Sequence, residues 1–271
     1  MNSKTYVMGI INLTPDSFSS DGLYGRSDYI DRAVQQAKEM VDAGADFLDV
    51  GAESTRPGGP AVDEAEEARR LFPALRELVS AVKVPFSVDT YKPRIAEQVL
   101  NLGVAMLNDI WGLLSPDDPE RRMARIAGDS GVPVIVMHNA EKNAYQDLMP
   151  ELIARLEDSI RVALDHGVRE EQIIVDPGVG FAKSQRDNLQ VIRELDRLKI
   201  LGRPILLGTS RKSVIGNALN LPVTERLEGT IATTVWGVIK GANIVRVHDV
   251  KAIVRASRMC DAIASAGDNQ I

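Results

Sequence analysis

Cysteine is almost absent from this chain. Among 271 residues only Cys260 carries a thiol. One thiol cannot close an internal disulfide, so nothing points to an oxidising compartment or a disulfide-stapled scaffold. Histidine is scarce too: His138, His166 and His248 are the three present, and their spacing is not that of a metal site. No apolar run approaches a membrane span, and Met1 to Tyr6 is polar where a secretory leader would turn apolar. The expectation is a cytoplasmic protein with no membrane contact. Basic charge is not in excess. The net charge of −6 argues against nucleic acid as a partner, because a phosphate backbone favours a basic face. It leaves room for a small anion in a locally positive pocket.

Several motifs are also missing. No Gly-x-Ser-x-Gly elbow occurs, which argues against a serine hydrolase. Gly208-Thr-Ser-Arg-Lys-Ser213 lacks the glycine spacing of a nucleotide phosphate loop. Gly178-Val-Gly180 follows a strand-like run, but no third glycine completes a dinucleotide fingerprint.

What is present is a repeating unit. Short runs rich in β-branched residues alternate with loops marked by Gly or Pro and then with segments of helical period. The expected strands are 6–12, 46–50, 84–89, 105–109, 132–138, 172–176, 204–208 and 243–248. The expected helices are 27–43, 62–82, 93–102, 120–130, 150–166, 186–198, 224–240 and 250–264. In the first helix Ala33, Val34, Ala37 and Met40 form an apolar stripe opposite Arg32, Gln36, Lys38 and Glu39. Gly44, Gly103, Gly131, Gly167 and Gly241 stand where helices should stop. Strict alternation implies a parallel sheet with helices outside it. Eight units favour closure into a (β/α)8 TIM barrel over an open doubly wound sheet, as one domain spanning residues 1–271. With 44% apolar and 26% charged residues the chain can bury its own core.

Polar residues end the strands: Asn12, Asp49, Asp89, Asn108 with Asp109, His138 with Asn139, Asp176, Ser210, and Arg246 with His248. In a barrel these ends form one rim, where active sites lie. For Asp49 or Asp109 alone a helix cap or turn is the more ordinary explanation, but that explains poorly why the whole rim is polar. Arg246 and His248 are two apart and share a face, suited to a phosphate or to a rim salt bridge. Asp89, Asn108 and Asp176 offer acceptors and an amide to a flat heterocycle with an amino-pyrimidinone edge; ion pairing with Arg211 or Lys212 is the alternative. The segments after strands 1 and 2, residues 12–22 and 51–59, are long loops rich in Gly, Pro and Ser, of the kind that act as lids.

In order along the chain stand Gly9-Ile-Ile-Asn-Leu-Thr-Pro-Asp-Ser-Phe18, Glu53-Ser-Thr-Arg-Pro-Gly58, Ser87-Val-Asp-Thr-Tyr-Lys92, Asn108-Asp-Ile-Trp-Gly112, Met137-His-Asn139, Asp176-Pro-Gly-Val-Gly-Phe181, Gly208-Thr-Ser-Arg-Lys-Ser213 and Arg246-Val-His-Asp249. This set resembles the dihydropteroate synthase family. The resemblance implies condensation of 6-hydroxymethyl-7,8-dihydropterin pyrophosphate with p-aminobenzoate, giving dihydropteroate and pyrophosphate for folate biosynthesis. It further implies a cytoplasmic, dimeric enzyme targeted by sulfonamides. Carried over, Asp89, Asn108, Met137, Asp176, Lys212 and Arg246 bind the pterin, with Asp89, Asp176 and Lys212 catalytic. Asn12, Arg246 and His248 hold pyrophosphate, and Mg2+ sits at Asn12, with Asp21 as a second candidate. Phe18, Thr55, Arg56, Pro57, Phe181 and Ser213 frame p-aminobenzoate, together with Lys212.

The chain departs from the family's pattern in three places. Ser19-Ser20-Asp21-Gly22 replaces a Ser-Asp-Gly-Gly run, Ala52 a usual glycine, and Val214 a frequent phenylalanine. A folate-dependent methyltransferase or a non-catalytic pterin-binding paralogue on the same barrel are the competing readings. A phosphate-sugar aldolase is weaker, because no lysine ends a strand in position to form a Schiff base.

Overall fold

The computed structural model describes residues 4–15, 22–25, 27–54, 62–141 and 143–266. Its strands are β1 (Tyr6–Asn12), β2 (Phe47–Gly51), β3 (Phe86–Asp89), β4 (Met106–Asp109), β5 (Val134–Met137), β6 (Ile173–Asp176), β7 (Leu206–Leu207) and β8 (Ile244–Val247). They hydrogen-bond in the order β6-β5-β4-β3-β2-β1-β8-β7, every pair parallel. A parallel bridge between Val175 and Ile205, with the Val175 amide donating to Pro204 O at 2.9 Å, joins β6 to β7. The ring is thereby closed as a (β/α)8 barrel, which leaves no open sheet edge to protect.

The helices outside it are α1 (Tyr29–Asp42), α2 (Glu64–Ala81), α3 (Pro93–Leu100), α4 (Arg122–Ser130), α5 (Leu148–Asp165), α6 (Gln185–Arg193), α7 (Ser213–Leu219), α8 (Leu227–Lys240) and α9 (Val250–Ser265). Local chemistry starts them. Asp63 caps α2 by accepting from the Glu66 amide at 2.8 Å, and Ser184 with Asp187 forms a capping box on α6. Pro93 opens α3, where its missing N–H costs nothing. The five glycines expected to end helices all have positive φ, from 67° at Gly131 to 109° at Gly241. In α1 the buried side chains are Ala33, Ala37 and Met40, as the periodicity requires. His166 at the end of α5 places Nδ1 2.8 Å from Val162 O, a helix-end contact rather than a site.

Three expectations need correction. The ladder of β7 covers only Leu206–Leu207, because Ile205 pairs by a single bridge. The helix expected to run to Leu198 yields at Glu194, and residues Leu195–Leu201 tighten into a 3-10 helix. That geometry puts positions three apart on one side, so Leu195 and Leu198 both stay fully buried. The short helix α7 was not expected, and the helix expected from Thr224 begins only at Leu227, after a 3-10 turn at Val223–Glu225.

Two cores result. The larger lies between the strands and the helices. The smaller fills the barrel interior with Met8, Met106, Ile135, Ile174, Leu206 and Ile244, against half-buried Phe47. Side chains alternate along a strand, so the residue two positions after each plug residue faces inward one layer nearer the mouth. Those next residues are Ile10, Asn108, Met137, Asp176, Gly208, Arg246 and Asp49. The apolar plug thus fixes which side chains the mouth presents.

Candidate active site

At that mouth lies a cavity of about 480 Å³. Its lining includes Asn12, Asp89, Asn108, Met137, Asp176, Phe181, Lys212, Ser213, Arg246 and His248. The described residues that the family resemblance assigns to substrate or metal therefore all reach one space, whereas Asp49, Asp109, His138 and Asn139, also singled out at the strand ends, are not in its lining. Phe18, Asp21, Thr55, Arg56 and Pro57 lie outside the described residues, as do parts of both long loops.

The floor is an ion-pair network. Arg246 donates through Nε to Asp49 Oδ2 at 2.6 Å and through Nη2 to Asp89 Oδ2 at 3.0 Å, while Asn108 Nδ2 donates to Asp49 Oδ2 at 3.2 Å. Asp49 is fully buried. One arginine thus pairs with both carboxylates and compensates part of the cost of burying them. Asp89 Oδ1 is buried and has no hydrogen-bond partner among the described residues. A buried acceptor left empty costs free energy unless a ligand N–H completes it. Burial pushes the Asp89 carboxyl well above its usual range; Arg246 opposes this and Asp49 adds to it. Arg246 itself stays above its ordinary value, since Asp49 and Asp89 outweigh its burial.

Across the mouth, Asp176 Oδ1 accepts the Gly178 amide at 2.7 Å. Its carboxyl is raised by burial, against the pull of Lys212. Lys212 donates through Nζ to Val179 O at 2.5 Å and lies 4.9 Å from the centre of the Phe181 ring. Burial lowers its ammonium to about 8, with Asp176 opposing. Gly178 has φ of 65°, and a Cβ there would sit 2.0 Å from His138 O, so only glycine lets the loop after β6 lie against the end of β5. In the same segment after β7 as Lys212, Ser210 Oγ contacts both the His248 amide at 3.2 Å and its Nδ1 at 2.9 Å. Asn12, Arg246 and His248 surround one end of the cavity, where donors and positive charge suit an anion.

Arg211, offered as an alternative partner for the mouth carboxylates, forms a bidentate pair with Asp249. Its guanidinium turns outward and makes the two bonds at 2.9 and 2.6 Å. Its backbone φ of 57° makes that turn. Arg246, expected to serve an anion, also carries the pairing with Asp49 and Asp89. Sequence reasoning missed Asp49 as a hub, placed Ser210 only on the rim, and gave no role to Glu53, Asn143 or Lys183; Ser210, Glu53, Asn143 and Lys183 all line the same cavity. Glu53 Oε1 accepts from Tyr91 Oη at 3.2 Å and from the Val62 amide at 3.3 Å, and its other oxygen pairs with Lys92, which also binds Glu67 at 2.6 Å. A signal was available for Asp49: alternation along β2 places it on the same inward face as Phe47.

Among the described residues no group of three or more His, Cys, Asp or Glu could cage a metal ion. The oxygen donors at the anion end are few and include the amide of Asn12.

Comparison with known proteins is consistent with this geometry. The family described as "Pterin binding enzyme" matches residues 8–248. The dihydropteroate synthase of Clostridium beijerinckii is 50% identical over 264 residues, covering 97% of this chain and 96% of that one. A crystal structure of dihydropteroate synthase from Clostridium difficile in the presence of pteroic acid superposes with TM-score 0.89 at 49% identity, covering 96% of this chain and 97% of that one. The Xanthomonas albilineans dihydropteroate synthase with 4-aminobenzoic acid superposes with TM-score 0.89 at 36% identity, covering 97% and 94%.

Proposed function

This chain belongs to the pterin-binding enzyme family, and we infer that it catalyses the dihydropteroate synthase reaction in folate biosynthesis. The reaction joins 6-hydroxymethyl-7,8-dihydropterin pyrophosphate to p-aminobenzoate and releases pyrophosphate. One observation carries the reading: a cavity whose floor presents a buried carboxylate oxygen on Asp89, unsatisfied among the described residues, beside Asn108 and Asp176, with the Arg246 guanidinium and the His248 imidazole at its other end. An amino-pyrimidinone ring supplies N–H groups for the first part and a pyrophosphate ester supplies charge for the second.

Asp89, Asn108 and Asp176 receive the pterin edge, and Met137 and Arg246 pack on its faces. Lys212 donates toward the ring and, with Phe181 and Ser213, borders the p-aminobenzoate side. Phe18, Thr55, Arg56 and Pro57 complete that side. The bond from the pterin methylene to the pyrophosphate oxygen breaks first. The resulting cation is stabilised by the fixed carboxylates Asp89 and Asp176, and preorganised charge of this kind commonly contributes a few kcal/mol. Asn12, Arg246 and His248 hold the departing pyrophosphate. The aniline nitrogen then forms the new carbon–nitrogen bond and loses a proton to solvent. Because the cation is a strong electrophile, a weakly basic aniline is a sufficient nucleophile.

The donor set at the anion end fits Mg2+ carried in on the pyrophosphate, since this ion keeps most of its water and takes few protein ligands. Asn12 would hold it, with Asp21 as the further candidate, and the ion would neutralise charge on the leaving group. We also propose a homodimer. Trp236 and Ile239 on α8 and Met259 and Ile263 on α9 are exposed apolar side chains that such contact would cover. The unpaired Cys260 suits a reducing cytoplasm. The function is tested by supplying both substrates and magnesium and measuring pyrophosphate and dihydropteroate together. Equal amounts of the two are expected; folded protein that yields neither would overturn the reading.

A further inference from the structure

Lys183 closes the loop after β6, and its ammonium points back into that loop. Nζ lies 3.1 Å from Gly178 O, 3.1 Å from Phe181 O and 2.8 Å from His138 Nδ1. When Lys183 is an ammonium it has three protons and no acceptor, so all three are used and His138 offers a lone pair at Nδ1. That requires a neutral imidazole. Its surroundings agree: burial first, then the charge of Lys183, hold His138 down to about 3. The charged groups facing Lys183 are Asp176, Lys212 and Asp187, yet no carboxylate among the described residues lies close enough to form an ion pair with it. Burying a cation without such a partner is costly, and burial pulls the Lys183 ammonium down to about 7.

What it holds is a tightly folded turn. Ala182 adopts φ of 44°, unfavourable for a residue with a Cβ, and Tyr145 Oη donates to its carbonyl at 2.9 Å. Gly180 N donates to Asn188 Oδ1 at 2.6 Å. The same turn presents Val179 O and the Phe181 ring, the two groups that contact Lys212.

We propose that Lys183 is a positioning residue for the p-aminobenzoate side of the site: with neutral His138 as its acceptor, it ties the loop after β6 to the end of β5 and thereby sets Phe181 and Lys212. The proposal rests on the reading of the cavity given above. It does not require Lys183 to touch either substrate.

The test is Lys183→Met in the two-substrate assay, with pterin pyrophosphate binding measured separately by calorimetry. The KM for p-aminobenzoate should rise by about tenfold or more, the scale of one lost charge-assisted hydrogen bond, while the Kd for the pterin substrate stays within about twofold. His138→Leu should reproduce the split and His138→Gln, which keeps an acceptor, should rescue it. The double variant Lys183→Met/His138→Leu should be no worse than either single one, since both break the same contact. If Lys183→Met fails to fold, the contrast between His138→Leu and His138→Gln decides alone. An unchanged KM for p-aminobenzoate, or an equal loss for both substrates that tracks a falling Tm, overturns the proposal. Lack of turnover by the unaltered enzyme would instead overturn the function assigned to the cavity.

Discussion

Asp49→Asn removes one charge from the floor of the site and leaves its shape. The side chain is fully buried and accepts from Arg246 Nε at 2.6 Å and from Asn108 Nδ2 at 3.2 Å. An amide oxygen can replace the carboxylate oxygen only as a neutral acceptor, roughly half as strong toward a cation. A hydrogen bond to a charged group is worth about 1.5–3 kcal/mol, so halving it costs about 0.8–1.5 kcal/mol. Arg246 keeps Asp89 at 3.0 Å, so the larger penalty of about 3–5 kcal/mol for stranding a buried charge should not appear. In a protein of this size about 1 kcal/mol shifts Tm by roughly 2–4 °C, which places the loss at about 2–6 °C. Circular dichroism melts measure it. Arg246 and Asn108 both keep only a weakened anchor, so kcat/KM for the pterin substrate should fall by about 4–13-fold, the same free energy expressed as a rate. A Tm within about 1 °C of the parent, together with unchanged kcat/KM, would refute the hub and return Asp49 to the role of an ordinary turn residue.

Other perturbations probe the remaining parts. Lys212→Met should lower kcat by about 100-fold or more, as removal of a fixed donor does elsewhere; near-normal turnover would remove its role. Lys212 is held down to about 8, so activity that depends on its ammonium is full below that pH and lost above it. Its stability effect has the opposite sign: the unfolded chain binds this proton more tightly, so stability rises between about 8 and the ordinary lysine value. Rate and denaturation midpoint measured across that window should move apart, and Lys212→Arg should abolish the alkaline fall. Gly178→Ala places a Cβ 2.0 Å from His138 O in a left-handed conformation; the backbone strain alone costs about 1–3 kcal/mol, readable by urea unfolding. Incubation with the pterin pyrophosphate alone should release pyrophosphate slowly, whereas a strict need for p-aminobenzoate would favour concerted displacement.

The barrel was legible because its strands and helices follow two different periods. The period of two also carries the site: once Met106, Ile135, Ile174 and Ile244 plug the interior, the next inward positions, Asn108, Met137, Asp176 and Arg246, must face the mouth. What stayed hidden depends on partners far apart in sequence. Asp49 alone looks like a turn former, and its role exists only when Arg246, 197 residues later, reaches it. Arg211 and Lys212 are neighbours in sequence, and the φ of 57° at Arg211 sends their side chains to different partners. Lys183 looks like a surface lysine until the turn at Ala182 folds its ammonium inward. Helix boundaries slipped where a residue can leave the helix without loss of burial, as at Glu194.

A crystal structure of the enzyme with the pterin pyrophosphate bound tests the central claim most directly. The N–H edge of the ring is expected on Asp89 Oδ1, Asn108 and Asp176, and the pyrophosphate among Asn12, Arg246 and His248. A ring bound away from Asp89 Oδ1, or a pyrophosphate at the opposite side of the mouth, would contradict it.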